Sequence, residues 1–174
     1  MALKYYRVGK RITDMPTSFN YNTESDIDII GEPFFDATVG NPTTEATPIT
    51  FNKDSPLAKW LNMAILFGYE LSQLNKEFIL VSIFMRVGAD YETGKYFAVK
   101  QSATVVPNED AMGNQSLQMS ATINWTGARK FWTFDPTGGF VESATIPTAS
   151  QIHYKDGDAS RSDRALFFVY DDTE

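Results

Sequence analysis

Catalysis needs side chains that titrate, attack or ligate, and this 174-residue chain holds few in useful patterns. It has one histidine, His153, and no cysteine. The missing thiols remove disulfides, thiolate metal sites and cysteine nucleophiles together, and they fit folding in a reducing cytoplasm. A lone histidine is more often structural than catalytic. No G-x-S-x-G sets up a nucleophile turn, and "PTGG" at 136–139 lacks the lysine and the spacing of a phosphate loop. The run "DGDAS" at 156–160 begins like a calcium loop. It then fails, with Arg161 where glycine is required and Phe167 where the bidentate glutamate belongs. Asp26 and Asp28 share one strand face, but glycoside hydrolysis would need another strand to supply the carboxylate separation. The sequence points away from an enzyme and offers no catalytic residue, cofactor or metal site.

Binding is the other chemistry to weigh. Trp125, Phe131, Trp132, Phe134 and Tyr91 are the residue types that stack on sugar rings. They are equally the types that fill a core, and their positions beside apolar strand neighbours favour the core. The net charge of −7 makes the chain a poor grip for nucleic acid phosphates. An acidic surface instead keeps a protein dispersed, or lets a polyanion slide past without sticking. Basic Lys4, Arg7, Lys10 and Arg11 open the chain, whereas acidic Asp171, Asp172 and Glu174 close it. Two solvated termini would explain this, and so would head-to-tail contacts between copies.

The elements that carry these residues read as one mainly β domain spanning 1–174 with one packed helix. Residues 1–12 suggest a first strand or arm, and "DIDII" at 26–30 a strand. The Thr- and Pro-rich stretch 31–54 suggests a projecting loop or hairpin, with a strand around Pro48 to Phe51. A helix is predicted over 55–68: Ser55 can cap it, Pro56 suits its first position, and Gly68 can stop it. Leu57, Trp60, Leu61, Ala64 and Phe67 or Gly68 mark its buried face. Thereafter strands are predicted at 77–87, 95–106, 117–127, 128–135 and 164–170, the first of them central and covered on both faces. Residues 107–114 supply a hairpin connection. The architecture expected is α+β, a two-sheet sandwich or partial barrel. The apolar run 78–85 is far shorter than the ~20 residues of a membrane helix, and "MALKYYRVGKR" does not read as a signal peptide.

Within that plan "LQMSATINWTG" (117–127) alternates strictly. Leu117, Met119, Ala121, Ile123 and Trp125 take one side, and Gln118, Ser120, Thr122 and Asn124 take the other. The polar side carries no acid, base or nucleophile of note.

The capped helix "SPLAKWLNMAILFG", then "EFILVSIFMRV", then "KYFAVKQSATVVPNEDAMGNQSLQMSATINWTGA" resembles, in order and texture, the major tail proteins (tail tube proteins) of long-tailed bacteriophages. The resemblance covers roughly 55–135. It implies a helix packed beside two β-sheets and a structural, non-enzymatic virion protein. Six-fold rings would stack into a hollow tube, with sheet edges from neighbours joined into one barrel, as a conduit for DNA delivery. It implies self-association, with tape measure, terminator and distal tail proteins as partners and no membrane. DNA would be transiting cargo, not specifically bound. The site of action would be the virion tail, made in the bacterial host cytoplasm. Gln118, Ser120, Thr122 and Asn124 would then face the bore, wet but non-adhesive to phosphates. Lys100 would be an exception unless an acid of the same ring neutralised it. The basic start and the acidic end would be candidates for contacts between rings, and 31–54 and 107–114 would reach adjacent subunits. A tail terminator, a capsid decoration protein or a carbohydrate-binding β-sandwich fit the same texture.

Overall fold

The computed structural model describes residues 3–9, 12–20, 22–27, 33–38, 40–111, 116–158, 160 and 162–171. Twelve strands are described: β1 (Lys4–Val8), β2 (Ile12–Asp14), β3 (Thr17–Ser18), β4 (Asn22–Ile27), β5 (Pro33–Thr38), β6 (Thr43–Thr50), β7 (Asn75–Val87), β8 (Lys95–Ala111), β9 (Gln118–Asp135), β10 (Gly139–Glu142), β11 (Ile152–Tyr154) and β12 (Arg164–Tyr170). One helix, α1 (Pro56–Phe67), lies between β6 and β7.

Ten of these strands form one open antiparallel sheet with the order β1-β12-β7-β8-β9-β6-β2. β10, β11 and β3 pair at the sides with β9, β7 and β6 respectively. β7 lies inside the sheet between β12 and β8, as its doubly apolar sequence predicts. The β4–β5 pair forms a two-stranded sheet of its own.

The stretch 31–54 therefore divides. Residues 33–38 belong to the separate hairpin, but β6 is a strand of the main sheet, bonded to β9. The strand expected around 48–51 is its end; the threonines before Pro48 disguise the rest, because proline breaks a strand signal unless a bulge accommodates it. The β6–β9 register does shift, between Ala46 and Ile49. The two predicted strands at 117–127 and 128–135 are one continuous strand, β9. It is interrupted by a bulge at which β8 advances from Lys100 to Ser102 while β9 steps from Lys130 to Thr126. Gly127 sits in that bulge with φ 73°, a left-handed conformation that glycine adopts without strain.

Helix α1 is built as its sequence dictates. The Ser55 side chain accepts the Ala58 N–H at 3.2 Å, Pro56 opens the first turn, and Gly68 ends it in the left-handed region. Leu57, Ala58, Leu61 and Ala64 are buried. Leu57, Ala58 and Leu61 meet Phe78, Ala103, Val105, Met119, Ala121, Ile123 and Phe168 in the larger core. The last turn departs from expectation: Phe67 is 68% exposed. Helical spacing put it on the inner face, but the helix outruns what it covers.

The opposite sheet face encloses a second core. Ile79, Val81, Ala98, Trp132, Ala165 and Val169 are buried there. The sheet curls around them so far that Tyr5 on β1 and Phe140 on β10 bring their ring centroids to 4.5 Å. Phe140 also meets Phe134 at 4.6 Å and Phe167 at 5.0 Å. The right-handed twist of long strands, increased by bulges, produces such curling. No ladder joins β1 to β10 among the described residues. The roll remains open along that seam.

Candidate functional site

The alternation of β9 becomes two different environments. Met119, Ala121 and Ile123 are each no more than 2% exposed beneath α1. On the other face Gln118, Thr122 and Asn124 are half-buried and Ser120 is buried. Register extends this polar face across neighbouring strands. Asn75 lies opposite Thr104, Thr104 opposite Asn124, Asn124 opposite Thr43, and Thr43 opposite Ser18. A second row runs Val106, Thr122, Glu45, and a third runs Glu77, Ser102, Thr126. Threonine and asparagine suit such rows because they satisfy one another across strands. The Thr104 hydroxyl donates to Asn75 Oδ1 at 2.7 Å, and Asn108 Nδ2 donates to Thr122 Oγ1 at 2.7 Å. Lys100, flanking this field, reaches the Glu77 carboxylate at 2.6 Å and stands over the Trp132 ring at 5.2 Å. An acid of the same chain thus neutralises it.

The charged ends come together at one edge. β1 and β12 are antiparallel neighbours with Lys4 opposite Tyr170, the residue before Asp171. The start and the end of the chain therefore share an edge strand pair. Arg7 lies opposite Phe167 and is exposed. Lys10, Arg11, Asp172 and Glu174 lie outside the described residues.

The residues weighed for catalysis occupy structural settings. His153 Nε2 lies 3.0 Å from the Gly88 carbonyl and pairs across strands with Arg86. Asp158 Oδ1 accepts the N–H and hydroxyl of Ser160 at 2.9 and 2.6 Å, an Asx-type turn. Arg161, which spoils the calcium pattern, and Asp28 lie outside the described residues. Among the described residues no group of three or more His, Cys, Asp and Glu is placed to hold a metal. Two carboxylates are shifted. Backbone and hydroxyl hydrogen bonds from Thr93 lower the pKa of Asp90, and those from Thr137 lower that of Asp135. Both are turn caps.

The aromatic residues divide between core and a groove. Trp132 is 8% exposed, and Phe134 lies within the Phe140–Phe167 cluster. Phe131 packs on Phe97 at 5.0 Å, and Tyr91 stacks against the Arg86 guanidinium at 4.7 Å. Trp125 is different. Its Nε1 donates to Thr44 Oγ1 at 2.8 Å, and its ring borders a groove of about 1120 Å³ on the helix-side face of the sheet. Leu80, Phe84, Phe97, Val99 and Leu166 line that groove, with Arg7, Arg129 and Arg164 among its walls. Sequence reading missed it because its lining comes from strands far apart in the chain. The only signal was the doubly apolar β7 beside a helix too short to cover the whole face.

No protein-family model matches this chain, and no curated protein or solved structure matches it either. The geometry defines a class: a curled, open antiparallel sheet with one packed helix, two cores and a face of small polar side chains edged by acids. Among the described residues no helix is long and apolar enough to cross a membrane.

Proposed function

We propose that the chain is a structural subunit that self-assembles into stacked hexameric rings forming the tail tube of a long-tailed phage, the conduit for DNA. The observation that carries this reading is the field of small polar side chains across β7, β8, β9 and β6, edged by the acids Glu45 and Glu77, with Lys100 held by Glu77 at 2.6 Å. Such a face hydrates well and offers phosphates no free cation, as a bore for passing DNA requires. Its reverse side packs into a core under α1. Among the described strands β1 pairs with β12 alone, and this edge supports the same reading. Unpaired strand edges invite pairing with another copy, and closing a barrel between subunits removes them.

Negative-stain microscopy of the concentrated protein across a salt series tests the proposal. Hollow filaments of constant width are expected; monodisperse monomer under every condition would overturn it. Closed single rings that never stack would favour a terminator instead. Tryptophan fluorescence that responds to glycans, and fails to respond in Trp125→Ala, would favour a sugar binder, since Trp125 is the tryptophan that borders the groove.

A further inference from the structure

The floor of the groove beside Trp125 is an apolar row laid across four strands. Leu166 on β12 lies opposite Leu80 on β7, Leu80 opposite Val99 on β8, and Val99 opposite Phe131 on β9. Four adjacent strands make such a row about 14 Å long. The neighbouring row runs Arg164, Ser82, Phe97, Thr133. Phe168 and Phe78, two residues along from Leu166 and Leu80, lie in the core with Leu57 and Leu61 of α1. The helix leaves the rest of this face uncovered, so Leu80, Val99 and Phe97 are only half-buried. A concave apolar patch of this kind marks a binding groove.

The rim has the opposite character. Arg164 on β12 and Arg129, just past the bulge on β9, are both exposed and line the groove from opposite sides. Neither has an ion-pair partner among the described residues. None of the described lining residues is an aspartate or glutamate, although the chain as a whole carries a net charge of −7. The occupant must therefore be apolar along its body and anionic at an end. A sugar does not fit, because Leu166, Leu80, Val99 and Phe97 give hydroxyl groups nothing to bond. A flexible alkyl chain does fit, and the unbranched side chains of Met15 and Met85 in the wall can adapt to it. The volume of about 1120 Å³ leaves room for such a chain, extended or folded.

We infer that the groove binds a free fatty acid, a single alkyl chain lying across β12, β7, β8 and β9 with its carboxylate held by a rim arginine. A guanidinium is the side chain best matched to a carboxylate, since it can donate two parallel hydrogen bonds. One copy of the chain supplies the whole site, so the inference stands apart from the assembly reading above and survives its failure.

Calorimetric titration of the full-length protein with hexanoate, octanoate and decanoate tests it, with decanol as the uncharged control. Affinity is expected to rise by up to about fourfold for each methylene added. Decanoate should bind at least tenfold more tightly than decanol. In Arg129→Gln/Arg164→Gln, whose circular dichroism and melting should match the parent, decanoate should fall to the level of decanol while decanol binds as before. A damaged fold would weaken both. Leu66→Ser/Phe67→Ser, which removes the other exposed apolar cluster, should bind decanoate like the parent. Four results would each overturn the inference: no decanoate binding, equal binding of acid and alcohol, indifference to the arginine changes, or loss in the helix-end variant. Flotation with anionic vesicles without uptake of free decanoate would also overturn it, and would give the groove to a membrane surface.

Discussion

Lys100 and Glu77 are diagonal neighbours on adjacent strands, and their 2.6 Å ion pair removes a free cation beside a face of small polar side chains and the acid Glu45. The lysine side chain is 13% exposed and the glutamate 47%. The lysine is mostly buried and the glutamate half-exposed, so removing one partner leaves a poorly hydrated charge behind. The pair also sets the sign of the surface.

Glu77→Gln should cost about 1–3 kcal/mol of stability, because the mostly buried Lys100 loses its ion pair, while leaving an uncompensated cation beside the polar face. Assemblies of the variant are expected to retain double-stranded DNA at low salt and release it as salt rises, where the parent retains little. Co-sedimentation of DNA with the polymer across a salt series measures this. Equal retention by parent and variant would show that the face never meets DNA.

Thr44 is 3% exposed and serves two partners: it accepts the Trp125 Nε1–H at 2.8 Å and shares a 2.7 Å hydrogen bond with Thr17. Thr44→Val keeps the shape and strands the indole N–H. The expected loss is about 1–3 kcal/mol, read as a lower urea midpoint with an unchanged slope. In Thr44→Val/Trp125→Phe the missing donor should make the costs less than additive. Full additivity would mean that the bond contributes nothing.

Much of this fold was legible in the chain, and the failures share a cause. Helix α1 was readable because its signals are local: Ser55, Pro56 and Gly68 sit where cap, first turn and stop belong. β7 and β12 were readable from apolar runs, and the polar face of β9 from its alternation. Only the end of β6 was readable, as a strand around 48–51; its first half, Thr43–Thr47, was hidden among threonines before Pro48, and the ladder with β9 shifts register there. β9 was split in two because Gly127 reads as a turn but serves as a bulge. The rows Asn75–Thr104–Asn124–Thr43 and the groove depend on register between distant segments. One-dimensional periodicity does not encode register.

Leu66 and Phe67 are 67% and 68% exposed at the end of α1, beside Met63 at 40%. An apolar cluster on a helix end favours association over solubility. Leu66→Ser with Phe67→Ser is expected to raise the solubility limit while shifting unfolding by no more than about 0.5 kcal/mol, as for surface substitutions generally. Solubility under precipitant and urea denaturation check the two halves. A large stability loss would mean that the last turn packs against something in solution.

The acid limb of stability should trace partly to two turns. Asp90 accepts the Thr93 N–H and hydroxyl, both at 2.8 Å, and Asp135 accepts the Thr137 N–H and hydroxyl at 2.9 and 2.8 Å. These bonds favour the ionised carboxylates, so both pKa values lie below the ordinary aspartate value in the folded chain. A depressed folded-state pKa means that the unfolded chain takes up protons first. The stabilisation is then complete above the ordinary value and drains away as pH falls through the lower, folded-state one. Asp90→Asn and Asp135→Asn keep an acceptor oxygen but do not titrate. Each is expected to melt below the parent at neutral pH and to lose less on acidification, so the curves converge toward the acid end. Melting temperature against pH for the three proteins decides it: parallel curves would show that neither turn contributes to the acid limb.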